Sequence, residues 1–204
     1  MNKTDCLIVF VRYPELGKVK TRIAIEIGCE RALAVYQELL AHIFNAVEPL
    51  KCVKNIFVTG SPDIPLDIGF QHKVSQQQGH NIGERMQNAF HQVFTEGFSK
   101  VVLIGGDIYE LTTGIISDAF QKLDEVDCVI GRAKDGGYYL LGLTHELPSL
   151  FTDVTWSSPH TFDHTIRKIT FENLTYRLLP ELNDVDTVED IYKHKKLIDL
   201  VNEN

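Results

Sequence analysis

Short runs of apolar residues, many of them β-branched, recur along the chain and stop at turn residues. The runs are CLIVFV (6–11), NIFVTG (55–60), KVVLIG (100–105) and DCVIG (127–131). Because the centre of each run is apolar at successive positions, both faces of each strand are expected to be covered by other elements. The pattern therefore predicts buried strands of a mostly parallel sheet.

Apolar residues between these runs recur at the spacing of one face of a helix. The resulting stripes cover residues 32–47, 82–93 and 115–123. Strands that alternate with helices favour right-handed crossover connections and a parallel sheet. This part of the chain therefore predicts an α/β fold whose ligand crevice lies at the carboxyl ends of the strands.

The last third of the chain has a different pattern. The KDGG stretch (134–137) separates two apolar runs and predicts a hairpin, which adds antiparallel pairing to the sheet. Ser158–Pro159 predicts an N-cap followed by proline at the first helical position. Residues 175–180 predict a late strand, and residues 187–201 predict a final helix. No repeat or linker interrupts these elements, so residues 1–204 are predicted to form a single domain.

Composition narrows the functional classes. The 204 residues are 44% hydrophobic and 24% charged, as in ordinary soluble globular proteins. A net charge of −8 argues against nucleic acid and anionic membranes as partners, and no apolar run approaches the roughly 18–20 residues that span a bilayer. The first apolar run ends at Arg12 and Pro14 without the cleavage site of a signal peptide. We therefore expect a cytoplasmic protein that neither binds nucleic acid nor spans a membrane.

The four cysteines agree with that location. Cys6, Cys29, Cys52 and Cys128 are scattered and show no C-x-x-C spacing, so buried free thiols are expected. No apolar stripe exceeds what the core of the chain itself needs, so the sequence indicates no particular oligomeric state.

A basic loop follows the first strand. The stretch RYPELGKVKTR contains a glycine and four cations, which are Gly17, Arg12, Lys18, Lys20 and Arg22. Such a loop suits a diphosphate, because glycine permits close approach of the backbone while Lys and Arg neutralise phosphate oxygens. It lacks the glycine spacing of a Walker A loop and of a dinucleotide fingerprint. A solvated basic loop without a ligand would contain the same residues.

Two acidic positions are candidate metal ligands. Asp107 follows a buried strand, where a carboxylate either accepts backbone N–H groups in a turn or binds a hard divalent cation. Asp186 lies in NDVDTVED (183–190), where acidic residues either cap a helix or point back across the crevice toward Asp107. The residues alone leave both pairs of alternatives open.

The KDGGYYL stretch and the one tryptophan are candidates for contact with a sugar or an acceptor. Asp135 and Gly136 form the Asp-Gly pair favoured in hairpin turns, yet Gly136 and Gly137 also permit close approach of a ligand. Trp156 lies in an expected loop, where it either packs into the core or stacks on a ligand. These alternatives also stay open.

Six blocks of the chain, in order, resemble a known bacterial family. They are RYPELGKVKTRI, QGHNIGERM, LIGGDIYEL, AKDGGYYLLGL, FTDVTWSS and NDVDTVEDI. The blocks are similar to those of the DUF2064 proteins, also called rSAM/selenodomain-associated transferase 1, some of which are named arsenosugar-biosynthesis glycosyltransferases. The resemblance implies the GT-A fold of nucleotide-diphospho-sugar transferases. That fold is a three-layer α/β/α sandwich around a Rossmann-like, mostly parallel mixed sheet.

The resemblance also implies roles for single residues. The expected phosphate-binding positions are Arg12, Gly17, Lys18, Lys20, Arg22, Gly106 and Asp107. Asp107 and Asp186 would bind Mg²⁺ or Mn²⁺. The expected contacts to the sugar or acceptor are Asp135, Gly136, Gly137, Tyr138 and Trp156. Asp107 is the expected catalytic metal ligand. Asp135, as the acidic group in the acceptor region, is the candidate general base, with a purely structural role in the hairpin turn as the alternative.

One block departs from the family pattern. The family usually reads Gly-Ser-Asp-Ser-Pro after this strand, whereas this chain reads Gly-Gly-Asp-Ile-Tyr over residues 105–109. Loss of the proline predicts a looser loop, and Tyr109 is expected to add bulk near the acceptor pocket.

The expected function is metal-dependent glycosyl transfer from a nucleotide-diphospho-sugar donor to an unknown small-molecule acceptor. The cation and the basic loop would stabilise the charge that develops on the diphosphate. One alternative is nucleotidyl transfer with release of pyrophosphate. The other, motivated by the altered residues 105–109, is a nucleotide-sugar-binding protein with weak catalysis.

Overall fold

A seven-stranded mixed sheet lies at the centre of the protein. The computed structural model describes residues 5–60 and 68–202. The strands are β1 (Asp5–Arg12), β2 (Val53–Thr59), β3 (Lys73–Gln76), β4 (Lys100–Gly105), β5 (Cys128–Ala133), β6 (Tyr138–Leu143) and β7 (Tyr176–Leu182). Their order across the sheet is β3-β2-β1-β4-β6-β5-β7.

Within these ranges every strand pairing is parallel except those of β6. The interior strand β1 is parallel to both of its neighbours, β2 and β4. β5 is parallel to β7, whereas β6 runs antiparallel to β4 and to β5. The hairpin predicted at residues 134–137 is confirmed, because β5 and β6 pair across that turn. As a result, β1, β4 and β5 all point their carboxyl ends toward one edge of the sheet.

Helices cover both faces of this sheet. They are α1 (Thr21–Ile27), α2 (Cys29–Val47), α3 (Ile82–Thr95), α4 (Thr113–Lys122), α5 (Thr161–Phe171), α6 (Val188–Ile191) and α7 (Lys195–Asn202), with a short 3-10 helix at Pro148–Phe151. Alternate side chains of β1 belong to two hydrophobic cores, one on each face of the sheet. Leu7 and Val9 belong to the core formed with α1, α2, α4 and α7. Cys6 and Ile8 belong to the core formed with α3 and α5. The fold is therefore the expected three-layer α/β/α sandwich.

Two elements were absent from the sequence prediction. β3 is an edge strand of four residues with mostly exposed side chains, so no apolar run marks it. α1 fully buries only Ile23 among its seven residues, so it has no apolar stripe. Both elements owe their conformation to neighbours in the fold rather than to a local hydrophobic pattern.

The predicted start of one helix was wrong, and a second predicted helix is interrupted. α5 begins at Thr161, and Ser158–Pro159 lies in the preceding turn, where the Thr161 hydroxyl donates to the Ser158 carbonyl at 2.8 Å. The final helix is divided into α6 and α7. At the break, the ring of His194 packs against Tyr109, with 4.9 Å between ring centroids.

The environment of the cysteines differs in part from the expectation. All four are free, but only Cys6 and Cys128 are buried, whereas Cys29 is exposed. Over residues 5–60 and 68–202 there is no helix of sufficient length and apolarity to cross a membrane.

Candidate functional site

The carboxyl ends of β1 and β4 border a cavity of about 480 Å³. This is the place where parallel sheets with flanking helices usually bind ligands. Five basic and two acidic side chains line the cavity: Arg12, Lys18, Lys20, Arg22, Arg85, Asp107 and Asp186. The fold thus brings four predicted phosphate-binding cations to one cavity, together with both predicted metal ligands. Gly106 also lines it.

Lys20 joins the two predicted metal ligands. Its ammonium lies 2.7 Å from Asp186 Oδ1 and 3.3 Å from Asp107 Oδ2. The Lys20 side chain is 8% exposed, whereas those of Asp107 and Asp186 are 41% and 36% exposed. Burial opposes the charged form of Lys20, but the two carboxylates outweigh burial, and the pKa of Lys20 is raised. The lysine is therefore charged and holds both carboxylates at the cavity.

The backbone of Lys20 adopts a conformation that lysine rarely takes. With φ 44° and ψ 48°, it lies in the left-handed region immediately before α1. A residue with a side chain costs about 1–2 kcal/mol there, so the surrounding contacts must stabilise this conformation. Gly17, with φ 74°, forms the exposed turn that precedes it.

Tyr36 holds the start of the basic loop. Its hydroxyl accepts from the Arg12 N–H and donates to the Arg12 carbonyl, each at 2.9 Å. The Arg12 guanidinium in turn donates to the Lys18 carbonyl at 3.2 Å, which closes the loop on itself. The Lys18 side chain is 67% exposed and pairs with Glu15. Lys18 and Arg12 thus form the rim of the cavity, whereas Lys20 lies in its floor.

Core packing fixes the turn that contains Asp107. Ile108 is only 1% exposed, and Gly106 is buried where a Cβ would lie 3.1 Å from Val11 Cγ1. The Asp107 carbonyl accepts from the N–H of Val185 at 3.1 Å, which ties this turn to the loop of Asp186. The Asp107 carboxylate pairs with Lys20 rather than with a backbone N–H of its own turn.

Tyr109 does not enter the acceptor region, so the expectation of added bulk there was wrong. Its ring packs between His42 and His194, at centroid distances of 4.5 and 4.9 Å. Tyr109 therefore anchors the turn to α2 and to the start of α7. This anchoring restrains the loop that loss of the family proline was expected to loosen.

Thr187, not Asp186, is the N-cap residue of α6, and it forms a capping box with Asp190. Asp190 Oδ2 accepts from the N–H of Asp186 at 3.1 Å and from the N–H and hydroxyl of Thr187 at 2.9 and 2.8 Å. Burial opposes ionisation of Asp190, but hydrogen bonds from three neighbouring side chains lower its pKa overall. Because Thr187 and Asp190 form the capping box, the Asp186 carboxylate is left to point toward Lys20 and toward Arg22, whose guanidinium is 3.5 Å away.

Asp107 and Asp186 fit a hard divalent cation as a pair. Nowhere in residues 5–60 and 68–202 is there a group of three or more His, Cys, Asp or Glu side chains that could hold a metal by itself. The two carboxylates nevertheless already converge on one cation, the Lys20 ammonium. Mg²⁺ is commonly held by one or two carboxylates, with phosphates and water as its other ligands. The donor set therefore suits an ion whose coordination a bound diphosphate completes.

A second cavity, of about 420 Å³, adjoins the first. Arg22, Ile82 and Asp186 line both. Four of the five residues predicted to contact a sugar or acceptor also line the second cavity, namely Asp135, Gly137, Tyr138 and Trp156. The sequence blocks that contain these residues are thus brought to one place.

Gly136 and Asp135 have structural partners in the hairpin turn. A Cβ on Gly136, whose φ is 91°, would lie 2.1 Å from the carbonyl oxygen of Pro159. The Gly136 carbonyl accepts from the N–H of Phe162 at 2.9 Å, and Asp135 Oδ1 accepts from the N–H of Gly137 at 2.7 Å. The close approach that Gly136 permits is therefore to the turn before α5.

Trp156 both packs and lines the second cavity. A Cβ on Gly83 would lie 2.1 Å from the indole, so the ring rests directly on the first turn of α3. The indole also stacks on Phe151 at 6.3 Å and meets Tyr138 edge-on at 6.5 Å. These contacts hold the ring in place at the wall of the cavity.

Arg85 joins the site although it was not a sequence candidate, and Asp184, which lines neither cavity, interacts electrostatically with Asp107, Asp135 and Asp186. Arg85 lines the first cavity and donates to the Gly79 carbonyl at 3.0 Å. Its only signal was its place in the QGHNIGERM block. Burial, followed by the charges of Asp135 and two other acids, raises the pKa of Asp184 to about 6. Its signal was the acidic NDVD stretch, which does not show which aspartate is buried.

Comparison with solved structures identifies relatives with the same fold. A proposed nucleotide-diphospho-sugar transferase from Desulfovibrio desulfuricans is 32% identical, with a TM-score of 0.90 over 100% of this chain and 96% of that one. A 4-diphosphocytidyl-2C-methyl-D-erythritol synthase from Anaerococcus prevotii is 11% identical, with a TM-score of 0.63 over 98% and 100%. A Mycobacterium tuberculosis protein crystallised with manganese is 15% identical, with a TM-score of 0.56 over 98% and 100%. The last two likenesses show the fold alone.

Sequence comparisons agree with the first of these structures. No curated protein matches the chain. The family model described as "Uncharacterized protein conserved in bacteria (DUF2064)" matches residues 36–158, which is more than half of the chain. That match includes the Asp107 turn, the hairpin of Asp135 and Trp156. The chain belongs to the DUF2064 family of bacterial proteins.

Proposed function

We propose that the protein is a metal-dependent transferase that takes a sugar from a nucleotide-diphospho-sugar donor. The observation that carries the proposal is the pair of adjoining cavities, one lined by five cations and the other by aromatic and acidic side chains. A donor diphosphate suits the first cavity, because Arg and Lys bind phosphate oxygens through charge-assisted hydrogen bonds. The acceptor would then occupy the second cavity.

Residues of the first cavity would act by positioning and by electrostatic stabilisation. Arg12, Lys18, Arg22 and Arg85 supply donors for phosphate oxygens at the rim, and Lys20 supplies a buried ammonium at the floor. Asp107 and Asp186 would hold Mg²⁺ or Mn²⁺, which when bound offsets negative charge on the leaving diphosphate. Such fixed charges are worth most in a site that excludes water.

Asp135 is the proposed proton acceptor. It lines the second cavity, and the hydrogen bond from the Gly137 N–H holds one of its oxygens. The other oxygen, Oδ2, makes no hydrogen bond, and Asp135 forms no salt bridge, within the described ranges. A carboxylate in that position could accept the proton that the acceptor loses as it attacks the donor.

A thermal-shift series tests the proposal. UDP-, GDP-, CDP- and ADP-sugars, with the free nucleotides, are added with and without Mn²⁺ to the full chain. A ligand at a hundredfold excess over its Kd stabilises the fold by about 2.7 kcal/mol, which corresponds to roughly 5–10 °C for a chain of this length. We expect at least one nucleotide to give a shift that depends on the metal.

Two variants sharpen this test. Asp107→Asn should abolish the metal-dependent part of the shift. Glu125→Gln, which neutralises an exposed acid at the opposite edge of the sheet, should leave it intact. If no nucleotide stabilises the wild-type chain under any metal condition, the proposed function is wrong. If Asp107→Asn retains the full manganese-dependent shift, the metal is not bound by Asp107.

A further inference from the structure

The two adjoining cavities differ in the sign of their charge. The first has five basic and two acidic lining residues, whereas the second has one basic residue, Arg22, with Asp135 and Asp186. Arg22 is 77% exposed, and its guanidinium already pairs with Asp186. Arg22 and Asp186 are shared with the first cavity, so a phosphate or carboxylate that entered the second cavity would meet Asp135 as the charged group that lines this cavity alone.

Two aromatic side chains, Tyr138 and Trp156, line the second cavity. The Tyr138 hydroxyl donates to the sulfur of Met86 at 3.9 Å, so its hydrogen already has a partner within the protein. Trp156 is held against Gly83 and Phe151, as described above. Fixed aromatic faces provide a large contact area for the apolar face of a ring-shaped ligand at little cost in conformational entropy.

Polar groups around this wall suit hydroxyls. Asp135 Oδ2 and the Ser157 hydroxyl have no hydrogen-bond partner within the described ranges, and both residues line the cavity. Ser157 lies in the left-handed region, with φ 55°, in the turn that leads to α5. One carboxylate acceptor and one hydroxyl, set beside an aromatic wall, match the few placed polar groups that orient a ligand in a largely apolar pocket.

We infer that the second cavity takes an uncharged, hydroxyl-rich ring, so that the transferred sugar passes to a hydroxyl and not to a phosphate or a carboxylate. This inference rests on the proposed function and names its acceptor class. The acceptor hydroxyl oxygen forms a bond to the anomeric carbon of the donor. The bond from that carbon to the diphosphate breaks with its electron pair on the nucleoside diphosphate, and the hydroxyl proton goes to Asp135. Nucleotidyl transfer would instead bring an anionic acceptor to this cavity.

The only tryptophan provides a direct measurement, because Trp156 lines the cavity in question. Its fluorescence is recorded while the full chain is titrated with myo-inositol or methyl glucoside, and with their charged counterparts myo-inositol 1-phosphate and glucose 1-phosphate. Mg²⁺ and pyrophosphate are present throughout, so that the cationic cavity does not capture the phosphorylated rings. The same titrations are made on Asp135→Asn and on the control Glu125→Gln.

We expect an uncharged ring to bind about tenfold or more tightly than its phosphorylated counterpart, because like charges repel in a partly dehydrated cavity. Asp135→Asn should reduce that ratio severalfold, and Glu125→Gln should leave it unchanged. Equal or tighter binding of the phosphorylated rings would overturn the inference, as would the absence of a response to every uncharged ring. If uncharged rings bind but no nucleotide stabilises the chain, the ligand class of the second cavity stands, while the proposed transfer and the acceptor role of that ligand fail.

Discussion

Adding a single methyl group at Gly136 tests how the hairpin is joined to α5. Gly136→Ala would place a Cβ 2.1 Å from the oxygen and 2.5 Å from the carbonyl carbon of Pro159. Both contacts are with backbone atoms, so no side-chain rotation relieves them. Gly97 offers a matched control: its φ is 88°, against 91° at Gly136, yet a Cβ there meets nothing within 4 Å.

The two substitutions share the cost of the backbone conformation and differ in the clash. A left-handed alanine costs about 1–2 kcal/mol, which is the whole expected loss for Gly97→Ala. Forcing an extra methyl group into a packed region adds about 1–3 kcal/mol. Gly136→Ala should therefore lower the free energy of unfolding by about 2–5 kcal/mol, and the difference between the variants is the contribution of the Pro159 contact.

Urea unfolding followed by far-ultraviolet circular dichroism measures both losses on the same scale. The slope of the free energy against urea should be the same for the two variants, so that the midpoints can be compared directly. If Gly136→Ala and Gly97→Ala lose the same stability, the hairpin can move away from Pro159 at no cost. The wall of the second cavity would then not be rigid, and the argument for a preformed acceptor site would fail.

Three further changes test other parts of the site. Lys20→Met leaves two carboxylates facing each other and should lower the free energy of unfolding by about 1–2 kcal/mol, since both carboxylates are partly exposed. Mn²⁺ should raise the melting temperature of this variant by more than it raises that of the wild type. Asp190→Ala removes the capping-box side chain that accepts from the N–H of Thr187 and should cost roughly 0.5–2 kcal/mol at neutral pH in urea unfolding. Because the folded-state pKa of Asp190 is depressed, its stabilisation is present above the ordinary aspartate pKa, and the gap to Asp190→Ala should shrink as pH falls below about 4. Under native conditions a thiol reagent should modify Cys29 rapidly and Cys128 only after unfolding, because burial raises the pKa of Cys128 to about 12; equal rates would contradict the described burial.

The layered fold could be predicted from the sequence because its signals are local. β1 and β4 are apolar at successive positions, and α2 carries one unbroken stripe of buried residues. The elements that escaped prediction, β3 and α1, bury little of their own surface. A hydrophobic pattern reveals an element only when that element buries several apolar side chains. β3 and α1 bury too few for such a pattern to appear in the sequence.

The candidate site was predictable residue by residue but not as an arrangement. Lys20 is 87 residues from Asp107 and 166 from Asp186, and no spacing rule links positions that far apart. The direction of Tyr109 also depended on distant partners, because His42 and His194 come from α2 and from the break before α7. The alternatives for Asp186 depended on which residues cap α6, and the acidic stretch alone does not show that Thr187 and Asp190 form the capping box.

The ion pairs of Lys20 with Asp107 and Asp186 join residues that are synthesised far apart in time, and this matters for ligand binding. Two of the three bridged residues are present once the first 107 residues exist, but Asp186 follows β7, the strand at the far edge of the sheet. A nascent or C-terminally clipped chain could form the central strands and still lack one side of the cationic cavity. Ligand binding would therefore require that the whole sheet has formed. Protection from proteolysis by a nucleotide would then be a selective marker of full-length, completely folded molecules.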